Sequence, residues 1–334
     1  MGGFGTGRDT FGTHPVAVLR DDARGRCVRI AHRGATVLSI EQRLGGTCHE
    51  LADGYRDAGE LESLSGSRFA VMAPFANRIA GARYVFDGVG QDMQPGVEGA
   101  QRGIRHGFVR GVDFEPVDVG ADEHAAWVEL ATSAIRPGAH PGYPHAIDLS
   151  VRYVLDARGL ALDVRMRNAG ATAAPCFFGW HPYFRVGDTP PDAWELQVPA
   201  DALVRTDADS IPLPGAAATV PLEQAPALDF RTMQPIGARR LDLAYAGLRR
   251  DADGLCRARL RDPASGLAVA MWQESGITLV FTADTVKRGA RGSVALEPME
   301  SWSDAFNRPD CAGAIRLEPG VERRFRCGVE IELP

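Results

Sequence analysis

Hydrophobic residues recur at every second position in segment after segment of this chain, and that spacing constrains its fold more than any other feature. A strand turns successive side chains to opposite faces, so alternation sets one face on a core and the other toward polar surroundings. Ile147, Leu149, Val151, Tyr153 and Leu155 alternate with Asp148, Ser150 and Arg152. Residues 156–159 then turn the chain, and Leu160, Leu162, Val164 and Met166 return against Asp163, Arg165 and Arg167, which predicts a hairpin. A second hairpin is predicted where Arg257, Arg259 and Arg261 share a face, residues 262–266 turn, and Leu267, Val269 and Met271 lead back toward Ile277, Leu279 and Phe281. Phe325, Cys327, Val329, Ile331 and Leu333 alternate with Arg326, Glu330 and Glu332, and similar patterning begins around Val16 to Ile40.

Helical stripes are scarce, and 38 glycines and 22 prolines interrupt the chain too often for long helices. The fold class expected is all-β, a large antiparallel β-sandwich or barrel. At 334 residues and 45% apolar content, composition alone allows one large domain or two smaller ones. The stretch 188–226, rich in Pro, Ala and Asp, resembles a linker. Because strand patterning resumes beyond it, it reads as a long surface excursion, and one domain over 1–334 is expected. Residues 1–13, rich in glycine, read as a flexible N-terminal segment.

A net charge of -6, with basic residues scattered singly, leaves no basic stripe for nucleic acid. The six cysteines are dispersed and read as reduced thiols. No apolar run reaches the roughly 18 residues of a membrane span, and no apolar export segment follows a basic start. A cytoplasmic protein with neither nucleic acid nor membrane as partner is expected, as a monomer or a homodimer.

Several residues stand out chemically. Glu297 follows the apolar run Val294-Ala295-Leu296 and precedes Pro298, at an expected strand end. Partial desolvation there raises the proton affinity of a carboxylate, as suits a general base, although a buried acid paired with arginine reads the same way. His181 lies among Phe177, Phe178, Trp180, Tyr183 and Phe184. An imidazole so placed is a proton donor or a hydrogen-bonded core residue, and the rings around it suit a sugar's apolar patches. Asn77 and Arg78 offer directed donors to hydroxyl oxygens or form a capped turn. His106 precedes Gly107, which lets another backbone or a ligand come close. Asp242, between Leu241 and Leu243, is a hydroxyl acceptor or a cap. The eight histidines form no pair at metal-ligand spacing, and neither a phosphate loop nor a serine nucleophile elbow is present. No metal and no cofactor are called for.

Taken in order, Asn77-Arg78-Ile79, His106-Gly107-Phe108, Trp180-His181-Pro182-Tyr183-Phe184, Asp242, Leu296-Glu297-Pro298 and Asp304-Ala305-Phe306-Asn307 resemble the aldose 1-epimerase (galactose mutarotase-like) family. The resemblance runs from about Ala35 to the end and includes Leu317-Glu318-Pro319-Gly320. It implies a single-domain β-supersandwich and a mutarotase that interconverts the α and β anomers of a free aldose. By the same resemblance Glu297 and His181 are catalytic, as base and acid, while Asn77, Arg78, His106 and Asp242 bind the substrate. Two features depart from the family: many members have His-Gly-Gly where this chain has His106-Gly107-Phe108, and here Trp180 and Pro182 flank the histidine.

Two alternatives stay open. Arg102, Arg105 and Arg110 flank His106 and suit an anionic sugar, such as a hexose phosphate or a sulfonated hexose. A non-catalytic sugar-binding or sensor protein would bind without turnover. A glycosidase normally needs two paired carboxylates, and the sequence singles out one.

Overall fold

The computed structural model describes residues 3–99 and 102–334. Among the described residues the larger sheets have nine, eight and five strands, joined throughout by antiparallel ladders. Both predicted hairpins lie in the nine-stranded sheet. Ile147–Asp156 pairs with Gly159–Asn168 from Ile147↔Asn168 to Leu155↔Leu160, and Cys256–Arg261 pairs with Ala268–Gln273. The Glu322–Glu332 strand sits between these hairpins. Val151, Leu162 and Phe325 from this sheet share one apolar core with Val71, Val280 and Leu296 from the eight-stranded sheet. The rings of Phe178 and Phe325 meet across the sheets at 5.9 Å. The expected antiparallel β-sandwich is therefore the architecture observed. No helix among the described residues is long and apolar enough to cross a membrane.

The N-terminal segment forms a strand where it is described. Phe4–Phe11 pairs residue for residue with His14–Asp21, from Phe4↔Asp21 to Phe11↔His14, around a two-residue turn with Gly12 at φ 62°. Its sequence hides this because an edge strand with few buried side chains shows no apolar alternation. Backbone pairing and the Asp9–Arg29 ion pair at 2.6 Å hold it instead. Met1 and Gly2 lie outside the described residues.

The 188–226 stretch is likewise no mere surface excursion. Glu195–Gln197 extends the nine-stranded sheet, whereas Ala202–Val204 and Thr219–Pro221 form one end of the eight-stranded sheet. Trp194, Leu196, Val198, Leu203 and Leu222 are buried. Proline and short strands, only three residues each, masked the alternation that marks the longer strands.

Glu297 does not end a strand; Val294–Met299 continues through Pro298. On the side facing Gly179–His181 and Tyr183–Phe184, Leu296 N donates to Pro182 O at 3.2 Å and Glu300 N to Phe178 O at 2.9 Å. Position 298 lies between these two donors and faces the same neighbour, so proline leaves that ladder one amide donor short.

Candidate active site

Strand register gathers the chemistry on one face of the eight-stranded sheet. Leu279 pairs with Glu297, Phe281 with Ala295, Asp242 with Phe281, and Tyr183 with Ala295. Period-two alternation then turns Glu297, Leu279, Phe281, Asp242, Tyr183 and His181 to the same side, with Leu296 and Val280 on the core side. A cleft of about 550 Å³ opens there, and all six residues singled out from the sequence, Asn77, Arg78, His106, His181, Asp242 and Glu297, line it.

His181 Nε2 lies 3.3 Å from Glu297 Oε1, with side-chain exposures of only 7% and 2%. The imidazole stacks on Tyr183 at 4.8 Å and meets His106 edge-on at 5.2 Å. Neither His181 Nδ1 nor Glu297 Oε2 has a hydrogen-bond partner among the described residues. Burial pushes the Glu297 carboxyl well above its ordinary value, helped by Asp242 and opposed by Arg78. Burial also pushes His181 down to about 3. Both shifts favour uncharged forms.

A two-residue ladder brings the remaining polar groups in: Arg78 pairs with Arg105, and His106 N donates to Asn77 O at 2.8 Å. Asn77 and His106 both hold left-handed backbone, at φ 56° and 62°. Asn tolerates that region and His is enriched there relative to other bulky residues. The Asn77 side-chain oxygen accepts from Arg78 Nη1 at 2.8 Å and from Ser303 Oγ at 3.2 Å, so it aims the guanidinium. His106 Nδ1 lies 2.8 Å from Met72 Sδ, and burial holds this imidazole neutral, with His181, Arg110, Arg105 and Arg78 adding to the effect. Asp242 enters from the start of its strand and stays exposed at the cleft; partial desolvation pushes its carboxyl up, against the pull of Arg78 and Arg105.

Phe108 and Trp180 stay outside the cleft lining. Phe108 stacks on His140 at 4.1 Å and packs edge-on to Phe75 at 5.5 Å, while Trp180 packs against Phe69. These departures thus alter the packing behind the cleft. Part of the 188–226 stretch also bears on the site, because Thr206, Ser210 and Pro212 border a small cavity beside Asn77, Arg78 and Asp242.

Sequence reasoning missed what builds the rim. Ser63–Ser67 forms one wall, and Thr285, Val286 and Lys287 form another. Asp53 joins them from beneath: its carboxylate takes Arg68, Arg288 at 2.9 Å and Ser293 Oγ at 2.7 Å. The Arg68 guanidinium lies over the Tyr183 ring at 5.1 Å. No local pattern announces a network whose members are up to 240 positions apart. Lys287 did carry a signal, as the chain's single lysine. Among the described residues, no group of three His, Cys, Asp or Glu side chains has a metal-binding arrangement.

The scaffold defines the class of protein. Its fold is that of a galactose mutarotase-like protein from Clostridium acetobutylicum, with a TM-score of 0.82 over 99% of both chains at 16% identity. The chain belongs to the aldose 1-epimerase family, whose model matches residues 16–330. It is 26% identical over 257 residues to the uncharacterized protein YihR of Escherichia coli, covering 76% of each chain. It is 25% identical over 315 residues to the galactose mutarotase of Sus scrofa, covering 88% of each.

Proposed function

We propose that this protein is an aldose 1-epimerase, a mutarotase acting on a free aldose by acid/base ring opening. The observation that carries the reading is the buried His181–Glu297 pair at 3.3 Å, whose second carboxylate oxygen has no partner among the described residues. An unpartnered buried oxygen is costly unless a ligand satisfies it, and an anomeric hydroxyl is such a donor. Family membership and relatives named galactose mutarotase support the sugar class.

In the reacting state Glu297 removes the anomeric hydroxyl proton while His181 delivers a proton to the ring oxygen. The bond from C1 to the ring oxygen breaks, and an open-chain aldehyde results. Rotation about C1–C2 presents the other carbonyl face, and closure with the roles reversed gives the other anomer. One proton enters the sugar as one leaves, so no net charge accumulates on it. Asn77, Arg78, His106 and Asp242 hold the remaining hydroxyls during the rotation, a positioning contribution to rate. Tyr183 and Phe281 offer apolar surface to the ring.

The test is optical rotation of freshly dissolved α-glucose and α-galactose, in a weak buffer, with the wild type and Glu297→Gln. Loss of about 10²- to 10⁴-fold in the variant is expected. Binding without acceleration in the wild type would turn the reading to a sugar sensor.

A further inference from the structure

The cleft carries a charge pattern that a neutral sugar does not call for. Arg78, Arg105, Arg110 and Lys287 line it against the carboxyls of Asp242 and Glu297, in a chain of net charge -6. Many arginines elsewhere are taken up by carboxylates, as Arg257 is by Asp251, Asp253 and Glu330 at 2.9, 2.6 and 3.0 Å. Among the described residues, none of the four cleft cations has a carboxylate within 4.0 Å.

Two of these cations are fixed together. Arg110 Nη1 donates to Ser67 Oγ at 2.8 Å and Nη2 donates to the Arg105 carbonyl at 3.2 Å, which pins the guanidinium to the 63–67 wall. Arg110 Nε is buried without a partner among the described residues. Arginines that serve only solubility spread into water, whereas like charges held around one cavity repel until an anion neutralises them. Burial first and then Arg105 lower the proton affinity of Arg78, against the opposing pull of Asp242 and Glu297. Guanidinium groups take oxyanions through paired N–H donors, and an ammonium adds a point charge.

We propose that the aldose turned over here bears an oxyanion substituent away from C1, seated at the cleft mouth by Arg105, Arg110 and Lys287 while Glu297 and His181 face the anomeric centre. The proposal rests on the mutarotase reading above.

The test compares anomerisation of glucose, glucose 6-phosphate, glucuronate and a 6-sulfonated glucose by the full chain and by Arg105→Ala, Arg110→Ala and Lys287→Ala. At least one anionic sugar is expected to exceed glucose in kcat/KM by about tenfold or more, and the strongest of the three identifies the oxyanion. Each substitution lowers the anionic-to-neutral ratio by about tenfold, mainly through KM. Sulfate should compete in the wild type and less in the variants. Glucose turned over as well as every anionic sugar, without sulfate competition, overturns the anion seat and leaves the acid/base reading standing. An anionic preference unchanged in exposed Arg105→Ala and Lys287→Ala also overturns the assignment, even if Arg110→Ala fails to fold. Acceleration of no sugar overturns both readings.

Discussion

His181 Nε2 and Glu297 Oε1 face each other at 3.3 Å from adjoining strands, so that one proton placed between them belongs to the pair rather than to either residue. Carboxylic acid with neutral imidazole, and carboxylate with imidazolium, differ only in where that proton sits. Burial favours the uncharged arrangement, since separating charge away from water is costly. A polar sugar bound against the two groups lowers that cost and makes the charged arrangement accessible when the reaction needs it.

The pH profile should reflect this. Because burial pushes His181 down to about 3 from the ordinary 6.5, the pair keeps a single proton through mild acid. kcat/KM is expected to stay level between about pH 5 and about pH 8, with its acid limb well below that of an ordinary imidazole. Polarimetry across that range in weak buffers checks this, and a limb centred on the ordinary imidazole value would refute it. His181→Asn should remove the activity at every pH, by about 10²- to 10⁴-fold.

His145 gives a stability prediction outside the catalytic pair. It is 8% exposed, packs edge-on to Tyr143 at 5.0 Å, and neither ring nitrogen has a partner among the described residues. Burial lowers its proton affinity, against a smaller opposing pull from Asp87. A histidine depressed on folding contributes stability that is present above its unfolded pKa and is lost as pH falls through the folded one. Urea midpoints should therefore drop from about pH 7.5 to about pH 5, and His145→Phe should drop less. An equal drop in the two proteins would mean that His145 is already satisfied in the fold.

Asp53 should matter beyond its distance from the chemistry. Removing it leaves the guanidinium of Arg68, 2% exposed, without its carboxylate partner and takes from Arg288 one of its two, Glu60 remaining at 2.8 Å. Asp53→Ala is expected to cost about 3–5 kcal/mol by denaturant unfolding, with Asp53→Asn milder. A loss below about 1 kcal/mol would show that the rim does not depend on this pair.

Gly107 is a steric requirement of the site. It has φ +65°, and a β-carbon there would stand 2.0 Å from Ala73 O, the acceptor of Phe108 N. Gly107→Ala should cost more than the roughly 1–2 kcal/mol of a left-handed residue alone and should displace His106. Gly103, with no atom within 4 Å of such a carbon, is the control, and Gly103→Ala should melt close to the wild type. Equal melting of the two variants would place Gly107 in a roomier setting than described.

What was legible in the sequence follows from what each element uses to hold itself. Strands such as Ile147–Asp156, buried on alternate residues, announce themselves, as do both hairpins. Phe4–Phe11 does not, because its stability lies in backbone pairing, which leaves no mark on side-chain order. The six site residues were legible as types in unusual surroundings, and the order of their motifs tied them together. That Asp242 shares a face with Glu297 follows from register through Ile277–Phe281, and this depends on pairing across the sheet. The Asp53 network was not legible, since ion pairs between distant segments depend on the finished fold.

One lysine on the lip of the cleft also makes this chain its own reporter. An amine-reactive fluorophore would modify Lys287 and, apart from the chain terminus, no other amine. Emission from that dye would register a neutral sugar entering or leaving the cleft, while the lost ammonium charge should weaken the hold on an anionic one, so a single label reports occupancy and repeats the Lys287→Ala test without altering a codon.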